Sequence, residues 1–186
     1  MTHDLLETVA EVYNSLGITA AAAAIEDLGG AAGLLVNHGH EAMYGHPHLK
    51  VPVHVGRADR AELARGMAVS AVLDGRSMLG DDLEVISVPG HTPGSTAFLW
   101  DSGTHRFLFT GDTLWSFHGE WQTVVLGTSS RSATLESLAL IRDLDFDVLV
   151  PWAAVAGEPV AIATDPVSTR ARLGAVIDRF GAGADR

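Results

Sequence analysis

Three times along this chain an apolar, strand-like run ends in a short loop that carries a side chain able to bind a metal. "GLLVN" runs into His38 and His40, "EVISVPG" into His91, and "RFLFTG" into Asp112. Strand ends that gather at one edge of a sheet bring such loop side chains together. The recurrence therefore points to one site at a sheet edge, and strands alternating with helices along most of the chain argue for an α/β or layered αββα domain. The flanking pattern agrees. Strands are expected over 31–37, 51–55, 82–88 and 147–151, and a hairpin joins 96–100 to 106–110 across "DSGTH". Thr19 is placed to cap a helix through the poly-Ala run at 20–24, which "GG" at 29–30 ends. Asp59 with Glu62 three residues on reads as a capping box for a short helix that stops at Gly66. Leu135, Leu138 and Ile141 make one helical face within 133–144, and a last helix covers 167–180. The first 17 residues fit two readings: Leu5, Leu6, Val9, Val12 and Leu16 suit a helix face, and "VAEVYN" suits a strand. At 186 residues the whole chain, 1–186, reads as a single domain.

Composition narrows the chemistry. There is no cysteine, so disulfides, thiolate metal sites and a cysteine nucleophile are all excluded. Any metal must be held by His, Asp or Glu. A net charge of −11 with only 12 scattered basic residues argues against a nucleic-acid partner, whose phosphates demand clustered Lys and Arg. No apolar run approaches the length a membrane span needs. The acidic start, "MTHDLLETVAEV", lacks the basic and apolar regions of a signal peptide, so a cytoplasmic location is expected.

"NHGHEAMYGHPHLK" (37–50) holds four of the nine histidines. In "HGH", His38 and His40 can face one ion if Gly39 lets the loop fold tightly. Neutral imidazoles suit Zn, Fe(II) or Mn(II), and three histidines with a carboxylate make a plausible ligand set. Glu41 is the only carboxylate in this loop and a candidate general base. His46, His48, His54, His105 and His3 are read as structural or exposed. His118, near Trp115 and Trp121, is a candidate for substrate contact, and Glu158 is weighed for reaching the site.

"VPGHTPGSTAFLW" followed by "RFLFTGDTLW" resembles the metallo-β-lactamase-fold superfamily, which includes glyoxalase II-like thioesterases and persulfide dioxygenases. "LVNHGHEAMYG" falls where that family has its HxHxDH loop, and "DFDVLVP" matches the strand before its last histidine. The resemblance covers roughly residues 11 to 160 and implies an αββα sandwich with the metal site at one edge; with little chain before Thr19, the N-terminal strands are expected to be shortened. It assigns His38, His40 and His91 to one metal and makes Asp112 the residue that normally bridges two. Ala42 and Met43 stand where the loop has Asp and His, and "PWAA" puts Ala153 at the last histidine. One divalent ion is therefore implied, zinc first, with iron or manganese as alternatives. The implied activity is hydrolysis of a small ester, thioester or lactone, with Asp112 ligating the ion or orienting water and Glu41 standing in as base. Two other readings stay open: an iron oxygenase using His38, His91 and Asp112, and a non-enzyme that binds a ligand or partner in the old cleft. The expected partner is a small molecule; the oligomeric state is left open.

Overall fold

The computed structural model describes residues 11–14, 17–47 and 49–184. In chain order the elements are β1 (Glu11–Tyr13), α1 (Ala22–Asp27), β2 (Gly33–Val36), β3 (Val53–Gly56), α2 (Arg60–Leu63), β4 (Ala71–Leu73), β5 (Arg76–Leu79), β6 (Leu83–Ser87), β7 (Thr96–Asp101), β8 (Arg106–Gly111), β9 (Trp115–Phe117), β10 (Glu120–Gln122), α3 (Arg131–Arg142), β11 (Val148–Pro151), β12 (Ile162–Ala163) and α4 (Pro166–Gly181). Short 3-10 turns cover Gly39–Tyr44 and Arg57–Asp59. The strands β1-β2-β3-β4 form one sheet in that order, with parallel neighbours throughout. The second sheet has the order β12-β11-β8-β7-β6-β5 and is antiparallel except for the β11–β8 pair. β9 and β10 form a separate hairpin.

Alternation along the strands builds three apolar layers. Leu34 and Val36 of β2 pack with Val53 and Val55 of β3, Leu63 and the flank of α1. Leu35, between them, points the other way and meets Val85 and Phe98 of the second sheet. On the far side of that sheet, Ile86, Leu99 and Leu108 pack on Leu138 and Ile141 of α3 and on Leu173 and Val176 of α4. Helix, sheet, sheet, helix is the only order these three clusters allow, so the αββα reading is correct.

Local expectations fare unevenly. The hairpin, the strands at 33–36, 53–56, 83–87 and 148–151, and both C-terminal helices appear where the pattern puts them. Ser130 caps α3 and Asp165 caps α4. Thr19 does not cap α1, whose cap position is Ala21 with no side-chain bond; "GG" does end it, with Gly29 and Gly30 both at positive φ and Gly30 N–H bonded to the Ile25 carbonyl. The Asp59–Glu62 capping box is also absent, because Asp59 is engaged elsewhere. Of the ambiguous N-terminal stretch, 11–13 is strand; Leu5, Leu6, Val9 and Leu16 lie outside the described residues.

Gly56 shows how tightly the ligand loops press on the sheet. A Cβ there would sit 1.9 Å from the Gly94 carbonyl oxygen. Gly56→Ala is expected to cost about 3 kcal/mol by overpacking, read as a lowered midpoint in thermal unfolding.

Candidate metal centre

His38 leaves the end of β2 in extended conformation and opens the 3-10 turn that carries His40. Gly39 lets this turn lie against α2, since a Cβ there would meet Glu62 Oε2 at 2.8 Å. His91 follows β6, and Asp112 follows β8. The four meet. Ligand nitrogens of His38, His40 and His91 all lie within 4.8 Å of one another. His40 Nδ1 is 3.1 Å from His91 Nε2, and Asp112 Oδ2 is 3.6 Å from His38 Nε2 and 3.7 Å from His91 Nε2. Ligands of a tetrahedral zinc with bonds of 2.0–2.1 Å stand roughly 3.3 Å apart, so these spacings suit a small divalent ion.

The outward ring nitrogens support the same reading. His91 Nδ1 lies 3.0 Å from the Val124 carbonyl, which can only accept, so Nδ1 carries the proton and Nε2 offers its lone pair. His38 Nδ1 faces Glu41 Oε1 at 3.2 Å, off the line of a hydrogen bond. His40 Nε2 faces Glu62 Oε1 at 3.8 Å. An imidazole backed by a carboxylate or carbonyl is the usual setting of a metal-bound histidine. The pKa values of the two buried rings shift in opposite directions. Burial would lower the His38 pKa, but the Glu41 carboxylate, helped by Asp112 and Asp59, turns the net shift upward. Burial dominates at His91 and holds its pKa below that of free imidazole.

Glu41 is not at the cavity. It is fully buried behind the loop, where Oε1 accepts from the backbone N–H of Asn37 at 2.8 Å and of His38 at 3.2 Å. Its other oxygen accepts from the Asn14 amide. The 3-10 turn carries residue 41 under the loop while residues 40 and 42 line the cavity. These contacts give Glu41 the work of fixing the loop and facing His38. Glu41→Gln would set an amide nitrogen against existing donors, at an expected cost of about 2 kcal/mol in chemical denaturation.

Asp59 is the residue the sequence reading missed. The residue is 2% exposed, and its carboxylate ties the two histidine loops together. Oδ2 accepts from Gly39 N–H at 2.8 Å and from the Thr92 hydroxyl; Oδ1 accepts from Gly94 N–H at 2.8 Å. A neighbouring network links Asn37 to Tyr13 and to the Thr96 carbonyl.

The remaining candidates scatter. His118 sits at positive φ in the β9–β10 turn and bonds Glu158 at 3.0 Å, and neither lines the cavity. His54 lies within β3, His105 in the hairpin turn, and His46 turns back on the Pro47 carbonyl. His3 and His48 lie outside the described residues. The cavity holds about 550 Å³; His38, His40, His91 and Asp112 contribute to it, with Ala42, Met43, Tyr44, Val124, Leu126 and Trp152 supplying apolar wall and Glu62 and Arg65 at its side.

Solved structures with this fold are numerous. The chain is similar to ETHE1 from Myxococcus xanthus, at 16% identity and a TM-score of 0.65 over 94% of this chain and 77% of that one. It is similar to BJP-1, a subclass B3 metallo-beta-lactamase of Bradyrhizobium japonicum, at 16% identity and 0.61 over 93% and 81%. It is also similar to the metallo-beta-lactamase GOB-18 from Elizabethkingia meningoseptica, at 18% identity and 0.58 over 86% and 75%. At these identities the likeness speaks for the fold. No curated protein matches the sequence significantly. The family signature of the metallo-beta-lactamase superfamily matches residues 28–153, more than half of the chain, and the protein belongs to that superfamily.

Proposed function

We propose that this protein is a hydrolase of small esters, thioesters or lactones that works with a single divalent ion, zinc first. The observation that carries the reading is the convergence of His38 Nε2, His40 Nδ1 and His91 Nε2 beside the Asp112 carboxylate, with the His91 ring held by the Val124 carbonyl. An ion held there would lower the pKa of a bound water and polarise a substrate carbonyl. Val124 keeps the His91 tautomer that presents Nε2. Glu41 and Asp59 hold the loops at the spacing the three rings need. Asp112, part-exposed on the cavity wall, is placed to accept the proton of an attacking water or to hold that water in line. The positions that would bind a second ion offer only Ala42, Met43 and Ala153, none of which suits zinc among histidines, and this supports a count of one.

Metal analysis of freshly purified protein is expected to give about one zinc per chain, in keeping with a three-histidine centre, and His38→Ala should lose it. A panel of thioesters and lactones should then show turnover that a chelator removes. Iron instead of zinc, with oxygen uptake on glutathione persulfide, would support the oxygenase reading. No bound metal, and no thermal shift on adding zinc, iron or manganese, would leave a ligand-binding protein without this chemistry.

A further inference from the structure

We infer that the surface left by the second-metal positions is a binding wall for the apolar acyl arm of the substrate. The inference rests on the hydrolase reading for the reaction, but not for the binding. Met43 and Ala42 carry no metal-binding group suited to zinc, yet both line the cavity. Met43 is 75% exposed, Tyr44 55% and Leu126 45%. Single exposed apolar side chains are ordinary on a protein surface, but several at the mouth of one cavity mark a place where something apolar binds. The strip continues inward. The Tyr44 and Trp152 ring centroids are 5.2 Å apart, and the Trp152 and His38 rings meet nearly perpendicular with centroids 5.9 Å apart. Aromatic rings thus step from half-exposed Tyr44 through Trp152 to the His38 ring, in a cavity that Met43 and Leu126 also line. The cavity, at about 550 Å³, falls in the range that holds a small molecule rather than a macromolecule. A carbonyl placed at the ion would send its acyl chain along Trp152 and Tyr44 towards Met43 and Leu126. Methionine suits such a wall because its unbranched side chain adapts to differing chains.

The test is a chain-length series run in two forms. Acetyl, butanoyl and hexanoyl thioesters of one neutral thiol are assayed on the metal-loaded protein, and the matching primary amides are titrated by calorimetry. Burial at about 0.8 kcal/mol per methylene predicts roughly fourfold in kcat/KM, and in amide affinity, for each carbon added. Met43→Ser and Leu126→Ser should each flatten that gradient; both positions are exposed, so folding is not at stake. A binding gradient without turnover of any thioester would sink the hydrolase reading and leave the acyl wall standing. Turnover with no gradient, or with a gradient that neither substitution changes, would overturn the acyl wall and leave the hydrolase. Absence of both turnover and binding gradient would overturn both.

Discussion

Replacing His91 by alanine is expected to remove the metal and, with it, turnover. His91 is the centre of the cluster: its Nε2 is 3.1 Å from His40 Nδ1 and 3.7 Å from Asp112, and its ring packs edge-on against both other histidines. It is also the best prepared of the three rings, because the Val124 carbonyl fixes its tautomer and burial pushes its pKa downward, favouring the neutral form. Loss of a residue that merely orients a ligand costs about 10- to 100-fold in metal affinity. Loss of the ligand itself should exceed that, so His91→Ala is expected to lower zinc affinity by more than about 100-fold. Metal content and kcat/KM on the best thioester measure both effects. His54→Ala, within β3 and away from the cavity, serves as the control. Undiminished turnover in His91→Ala would rule the mechanism out.

Asp59→Asn should be nearly as damaging, for a different reason. Three donors converge on two carboxylate oxygens in a buried place. An amide has one acceptor oxygen, and its nitrogen would be pressed against the Gly39 or Gly94 N–H. Leaving buried donors unmatched costs about 1–3 kcal/mol each, so a loss of about 3 kcal/mol is expected in denaturant unfolding of the metal-free protein. Because Gly39 belongs to the loop of His38 and His40, and Thr92 and Gly94 to the loop of His91, zinc affinity should fall as well, by about 10- to 100-fold. Competition against a chelator measures this on protein that is still folded. Stability lost with affinity intact would show that Asp59 serves the fold alone.

The contrast between His91 and Asp59 explains what the sequence discloses. His38, His40, His91 and Asp112 each stand directly after an apolar run, so local pattern finds them and the sheets do the rest. The layered fold is legible because strands alternate with helices along most of the chain; the run Leu34, Leu35 and Val36 reads only as a buried strand, and the structure divides it between two cores. Asp59 has no such signal. Its partners come from 20 residues before it and 33 and 35 after it. Its one local feature, a glutamate three residues on, advertises a helix cap that tertiary bonding pre-empts. Glu41 misleads differently: it lies within the right loop, but the turn rotates it beneath the backbone. β5 and β9 are short and partly exposed, and they leave little trace in the pattern.

The two sheets divide the chain cleanly. The first ends at Leu73 and the second begins at Arg76, with only Asp74 and Gly75 between them. A cut at that junction would leave His38 and His40 on one fragment and His91 and Asp112 on the other. Neither fragment owns all three imidazoles of the cluster. A metal held at this seam acts as a clasp between the halves, and its presence reports that the sandwich is shut. Two complementary fragments, mixed in solution, should therefore recover zinc binding only as they reassemble.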